Sequence, residues 1–220
     1  MSASPPRHPP RHPKAPPIPP FPGLEIDADE VVWGQRFALQ RVVFRHARFD
    51  GTPSGTLTWE LWRRGRGVLI LPYDALTDRV ALIEQFRLPA LAAGLAPVMT
   101  ECPAGLLEAH EDPEAAGRRE LAEETGLNAR AMAPIGRHML MQGGCDEVIH
   151  SWCAQVDLPD TDSATHGLAT EHEETRLRVV TAEQAFAMVA DNVIQNAPAA
   201  LALLWLQVNR ARLRAEWTRA

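Results

Sequence analysis

From Glu30 onward, apolar and polar positions alternate in short runs. VVWGQRFALQRVVFRHARFDG is rich in β-branched and aromatic residues and closes at Asp50-Gly51, a turn signal. TLTWELWRRG and RGVLILPYD read as further strands, interrupted at Gly65-Arg66-Gly67 and ended at Asp74. RVALIEQFRLPA follows the turn residues Thr77-Asp78, and PVMTECPAG leads into a glycine loop. APIGRHMLMQ, VIHSWCAQVDL and the segment from Glu174 to Val180, with alternating Arg176 and Arg178, are strand-like again. Thr181 is placed to cap a short helix, TAEQAFAMVADN, and Asn196 to start a longer one, APAALALLWLQVNRARLRAEW. In that last helix Leu201, Leu204, Trp205 and Val208 recur at helical spacing and predict a buried stripe, while its arginine-rich end suits a helix C-terminus. No internal repeat is visible. Strands before and after a central helix, followed by terminal helices, predict an α/β/α sandwich with a mixed sheet.

The central helix is predicted at about 113–125. Asp112 is a good N-cap, Pro113 suits the first turn where its missing N–H costs nothing, and Glu114 complements the positive helix end. Gly126 supplies a left-handed stop. On this helix Glu120 and Glu124 share a face, with Glu123 beside them. Like charges at that spacing repel, and a hard divalent cation with oxygen ligands would offset the repulsion. Arg119 is placed to steady Glu123 or Glu111. Two adjacent glutamates alone would be read as a solvated helix face, so the weight rests on the whole pattern from Gly105 to Leu127.

Composition narrows the class. The chain of 220 residues is 45% apolar, as expected for a globular protein of one or two domains. A net charge of −6 gives no support for binding nucleic acid or a membrane surface. The three cysteines, Cys102, Cys145 and Cys153, match no zinc spacing, and without a signal sequence they predict reduced thiols in the cytoplasm. No apolar run approaches the roughly 20 residues of a membrane-spanning helix. Residues 1–22, MSASPPRHPPRHPKAPPIPPFP, predict an extended, poorly ordered arm, its histidines separated by prolines that prevent a compact ligand set.

The segment GLLEAHEDPEAAGRRELAEETGL places Gly105, Glu111, Arg119-Glu120-Leu121, Glu123-Glu124 and Gly126-Leu127 at spacings that resemble the Nudix box at every fixed position. At average residue frequencies a chance match at a given start is roughly one in a billion. The likeness extends further. GVLILPYDALTDRVALIEQFRLPA, TECPAG, HGLATEHEETRLRVV and NVIQNAPAALALLWLQ resemble the bacterial ADP-ribose pyrophosphatases, including their tellurite-resistance-type relatives, and the likeness covers about residues 30–217.

Beyond the proline-rich arm over 1–22, the resemblance divides the chain into an N-terminal β region over 23–64 that is a candidate for a swapped dimer interface and a Nudix hydrolase domain over 65–220. It implies Mg²⁺, with Mn²⁺ as the alternative, held by the backbone carbonyl of Ala104 with Glu120, Glu124 and Glu173. Glu171 matches the proposed general base, with Glu173 as the competing assignment; Glu123 and Arg119 complete the catalytic set. Arg87, Glu147, Gly105 and Phe37 match substrate-binding positions, Phe37 with the alternative of a core role. The implied reaction is hydrolysis of ADP-ribose to AMP and ribose 5-phosphate in a homodimer.

Two departures bear on the substrate. The family commonly has Ser-Pro where this chain has Met141-Gln142 ahead of Gly143-Gly144, and arginines where it has Thr58 and Trp59, which leaves Trp59 as another stacking surface for a base. GDP-mannose, another nucleotide sugar or NADH are therefore alternative substrates. A non-catalytic sensor would tend to lose box carboxylates and carry a DNA-binding region. Here Glu111, Glu120, Glu123 and Glu124 are all present, and no helix-turn-helix is evident.

Overall fold

The computed structural model describes residues 12–108, 110–160, 165–168, 170 and 174–218. The chain divides into two compact units: one reaches Gly65 and includes Met141–Glu147, the other comprises Arg66–Leu140 and Val148–Ala220.

The first unit is an antiparallel meander of β1 (Leu24–Gly34), β2 (Ala38–His46) and β3 (Leu57–Arg63). The Asp50-Gly51 turn forms as its sequence predicts: the Asp50 carboxylate accepts from the Thr52 N–H at 2.9 Å, and Gly51 takes φ +84°. Register shifts between Ile26 and Ala28 and between Val31 and Trp33 bend β1. Gln40 and Arg63 are buried polar residues: Arg63 donates to Gln40 and to Asp146, the latter at 2.6 Å. Residues 12–22 of the proline-rich stretch are held here. Ala15 is fully buried, the His12 ring bonds the Gln35 carbonyl at 2.8 Å, and Arg63 donates to the Pro16 carbonyl. Residues 1–11 lie outside the described residues.

The second unit contains β4 (Arg66–Asp74), β5 (Arg79–Phe86), α1 (Leu88–Ala92), β6 (Val98–Glu101), β7 (Ala104–Leu106), α2 (Pro113–Thr125), β8 (Ala131–Met139), β9 (Val148–Gln155), β10 (Thr165–His166), β11 (Thr175–Thr181), α3 (Ala182–Ala190) and α4 (Ala197–Trp217). Among the described residues the sheet runs β10-β11-β5-β4-β9-β8, with β6 paired to β5 and β7 to β4. Only the β4–β9 pairing is parallel among these, so the sheet is mixed.

Helices cover both faces, giving the α/β/α layering. On one face Val68, Ile70, Ala81, Ala154 and Leu177 pack with Ala116 and Leu121 of α2. On the other, Leu69, Leu71, Tyr73, Leu82 and Cys153 pack with Phe186 of α3 and Leu203 and Leu206 of α4. Strand β4 is apolar throughout VLILPY because both of its faces are covered. The three cysteines are free and buried, and burial pushes the thiols of Cys102 and Cys153 well above their ordinary value.

The buried face of α4 differs from the predicted stripe. Ala199, Ala202, Leu203, Leu206 and Leu213 are buried, whereas Leu201, Leu204 and Val208 are exposed, Val208 at 85%; Trp205 is half-buried. Both rows satisfy helical spacing. The inward row is interrupted in the sequence by Arg210, which disguises it as polar. That arginine donates to Asp78 and Glu183 from the sheet side of the helix, so it does more than complement a helix end. Burial and the bond to Asp78 raise the Tyr73 hydroxyl well above its ordinary value, while Arg210 holds the Asp78 carboxyl below its own.

Candidate active site

Helix α2 begins and ends where its sequence dictates. The Asp112 carboxylate accepts from the Glu114 and Ala115 N–H groups at 3.0 Å, Pro113 occupies the first turn, and Gly126 takes φ +69°. Ala116 and Leu121 bury against the sheet and set the rotation of the helix. Gly117 allows close approach, since a Cβ there would stand 3.3 Å from Ile70. With the rotation set, Glu120 and Glu124 turn inward and are 9% and 1% exposed.

The antiparallel pairing of β7 with β4 holds Ala104–Leu106 beside these carboxylates. The Ala104 N–H donates to Glu124 Oε2 at 2.8 Å. Gly105 lies so close to Glu120 that a Cβ would come within 2.0 Å of its carboxyl. The glycine of the box thus leaves the Glu120 carboxyl room against the loop, a reason the sequence pattern alone does not supply. Thr175 Oγ1 donates to the Glu124 carbonyl at 2.8 Å and ties the end of α2 to β11.

Arg119 organises the remaining carboxylates. Its guanidinium donates to Glu111 at 3.0 Å, to Glu120 at 2.8 Å and to Glu123 at 3.0 Å. Three carboxylates therefore share one guanidinium, which leaves an excess of negative charge at the surface of α2. The bond from Arg119 holds the Glu111 carboxyl below its ordinary value, and Glu111 with Glu120 raises Arg119 far above its own. Hard oxygen donors with surplus negative charge are the donor chemistry that suits a small divalent cation. Among the described residues no three His, Cys, Asp or Glu side chains are gathered into a complete ligand set. Of the expected metal-holding group, Ala104, Glu120 and Glu124 are brought together; Glu173 and the expected base Glu171 lie outside the described residues.

Arg87 stands at the end of β5 and forms a bidentate pair with Glu101, both contacts at 2.9 Å. Glu101 is 4% exposed and was not singled out by the sequence. In the β5–β6 register Glu101 stands opposite Ile83, four positions before Arg87, so the pair is made by the long Arg87 side chain reaching back along the sheet, which no local spacing reveals. The remaining expected substrate residues belong to the N-terminal unit. There the Arg64 guanidinium lies 4.5 Å from the Phe37 ring centroid and 4.7 Å from that of Trp62, and donates to Glu147 at 2.7 Å. Phe37 is half-buried and edge-on to Trp62 at 6.0 Å. Arg64 and Trp62 are additional members of this group, and only the folded register assembles them. Trp59 is half exposed, with its ring edge-on to Phe44 at 5.3 Å.

Comparison with known proteins gives concordant results. A family model described as NUDIX domain matches residues 63–203. An ADP-ribose pyrophosphatase of Escherichia coli (strain K12) is 37% identical over 194 residues, covering 88% of this chain and 92% of that protein. A GDP-mannose pyrophosphatase of Klebsiella pneumoniae is 28% identical, covering 84% of this chain and 92% of that protein. The solved structure described as an ADP compounds hydrolase superposes with a TM-score of 0.66 at 20% identity, covering 90% of this chain and 98% of that one, a likeness of fold.

Proposed function

Because the chain belongs to the NUDIX domain family, we propose that it is a metal-dependent hydrolase that splits the diphosphate of ADP-ribose into AMP and ribose 5-phosphate. The observation that carries this reading is the buried pair Glu120 and Glu124 beside the Ala104–Gly105 backbone, with Arg119 fixing the carboxylates around them.

In this reading the Ala104 carbonyl, Glu120 and Glu124 hold the divalent ion, with Glu173 as a further ligand, and Mg²⁺ or Mn²⁺ serves. Hydrolases of this family generally need such an ion. When bound it supplies the positive charge that offsets the diphosphate and eases deprotonation of the attacking water. Oxygen from that water bonds to phosphorus, the bridging P–O bond breaks, and the released proton passes to a carboxylate, Glu171 or Glu173. Arg119 keeps Glu111, Glu120 and Glu123 in place without taking part in bond changes. Arg87, oriented by Glu101, contacts the anionic part of the substrate, and Gly105 lets the loop lie against Glu120.

The test is product analysis with purified protein, Mg²⁺ or Mn²⁺, and a panel of ADP-ribose, GDP-mannose, another nucleotide sugar and NADH. AMP and ribose 5-phosphate are the expected products. ADP-ribose left intact while another member of the panel is cleaved would overturn the substrate assignment and retain the chemistry. The GDP-mannose reading draws on Met141-Gln142 replacing Ser-Pro and on the Klebsiella relative. A homodimer is part of the proposal. The three-stranded meander exposes Val32, Trp33 and Trp59, which supports its use as an interface, and light scattering at the concentration of the assay decides it. Among the described residues no helix is long and apolar enough to cross a membrane.

A further inference from the structure

Two arginines of the C-terminal unit differ from the rest. Every other described arginine of that unit lies within 4 Å of a carboxylate, as Arg118 does with Glu114 and Arg130 with Asp157. Among the described residues Arg66 and Arg137 have no such partner. They stand on the two strands that flank β9.

Arg137 on β8 is the direct cross-strand partner of His150 on β9. Arg66 on β4 stands two residues before Val68, which is the β4 partner of His150. Side-chain alternation places all three on one face of the sheet. Val68 and Ile70 on β4, Ala154 on β9 and Met132 on β8 share that parity and pack on the side that carries α2. Adjacent strands lie about 4.8 Å apart, so the two guanidinium-bearing side chains flank the imidazole from either side.

The imidazole itself is under-satisfied. His150 Nε2 is shut away from water without a hydrogen-bond partner. Burial, then Arg66 and Arg137, hold its protonation below the ordinary histidine value, and no carboxylate offsets them. The Leu107 N–H donates to the Arg66 carbonyl at 3.0 Å and brings the loop before α2 alongside. In that loop Glu111 is committed to Arg119 and Asp112 to the helix N-cap, and among the described residues the Glu108 carboxylate makes no ion pair with Arg66 or Arg137.

We propose that Arg66, His150 and Arg137 form a binding site for a phosphate-class oxyanion, built from residues that take no part in the carboxylate centre. Such a ligand accepts from the planar guanidinium forks on both sides and relieves the repulsion among three cationic or cationisable groups. Inorganic phosphate and the phosphate monoesters released by diphosphate hydrolysis share this chemistry.

The test reads binding without turnover, so it stands or fails independently of the hydrolase assignment. Inorganic phosphate is titrated into the full chain, with divalent ions removed by a chelator, while the imidazole Cε1–H signals are followed by NMR. The His150 signal is expected to shift saturably with an affinity on the order of millimolar, and the pH midpoint of its own titration to rise when phosphate is present. The R66Q/R137Q variant, checked for its fold by circular dichroism, is expected to bind at least roughly tenfold more weakly. If that variant does not fold, R137Q alone serves, because the exposed Arg137 side chain holds no partner. Tighter binding of AMP or ribose 5-phosphate than of inorganic phosphate supports the site and marks a monoester as its preferred ligand, and equal binding supports a site that reads the phosphate group alone. A His150 signal indifferent to phosphate, or a folded variant that responds like the unaltered chain, overturns the proposal.

Discussion

Glu124 illustrates how a single side chain serves both the fold and the proposed chemistry. It is almost fully buried, accepts from the Ala104 N–H, and lies on the helix whose rotation is set by Ala116 and Leu121. Glu124→Gln keeps an acceptor for that N–H and removes the charge. Turnover is expected to fall by more than about a hundredfold with an unchanged melting transition, as measured by steady-state kinetics beside thermal denaturation. Unaltered kcat would exclude Glu124 as a metal ligand. Gly105→Ala attacks the same centre from the loop, where its Cβ meets the Glu120 carboxyl at 2.0 Å. The expected cost is about 1–3 kcal/mol of stability together with at least a roughly tenfold loss of metal affinity, checked by Mn²⁺ titration. Unchanged affinity would mean that Glu120 moves aside without consequence. These positions were legible in the sequence because the box is local: its spacing is read within one loop and one helix. The pairing of Arg87 with Glu101 was not, since it needs β6 laid beside β5 and a side chain that reaches four positions along it.

Helices α2 and α4 differ in how openly the sequence announces them. The ends of α2 were readable from Asp112, Pro113 and Gly126, each of which acts on the backbone of its own turn. Asp112→Ala removes two accepted N–H bonds and is expected to cost about 1 kcal/mol, seen as a melting point lowered by about 2–4 °C. Retention of the full melting point would show that water or Glu114 replaces the cap. The inward face of α4 was misread because apolar residues occupy both sides of the helix and Arg210 sits in the buried row, so periodicity fits two rotations. Contacts decide between them. Leu206→Ala is expected to cost about 2–5 kcal/mol, and Val208→Ala to stay within about 0.5 kcal/mol. Chemical denaturation of the pair checks the orientation, and the reverse ranking would restore the predicted stripe.

At the scale of the molecule, charge joins segments far apart in the chain. Asp78, at the β4–β5 turn, accepts from Tyr73 at 2.7 Å and from Arg210 of α4 at 2.9 Å. Its folded carboxyl titrates below the ordinary value, chiefly because of Arg210. The stability it confers is therefore complete above the unfolded aspartate value near 4 and is lost as pH falls through the lower folded value. Asp78→Asn suits this position, since Asp78 has φ +59° and asparagine tolerates that region. The variant is expected to lose about 1.5–3 kcal/mol at neutral pH, with the difference from the unaltered chain vanishing in strong acid. An equal deficit at all pH values would assign the effect to packing. The layered fold was legible from the order of strand-like and helical segments, but the central pairing was not, because period-two alternation carries no information about partners. That pairing has a consequence for how the molecule comes into being. Val68 meets His150, and Leu71 meets Cys153. During synthesis β4 must wait for more than a third of the chain before its parallel neighbour emerges, and longer still before α4 covers it. Over that interval an apolar strand is without part of its final cover, and closing such a distant contact is slow. Chaperone demand and loss to inclusion bodies should then be governed by the rate at which the second half of the chain is delivered, more than by the stability of the finished protein.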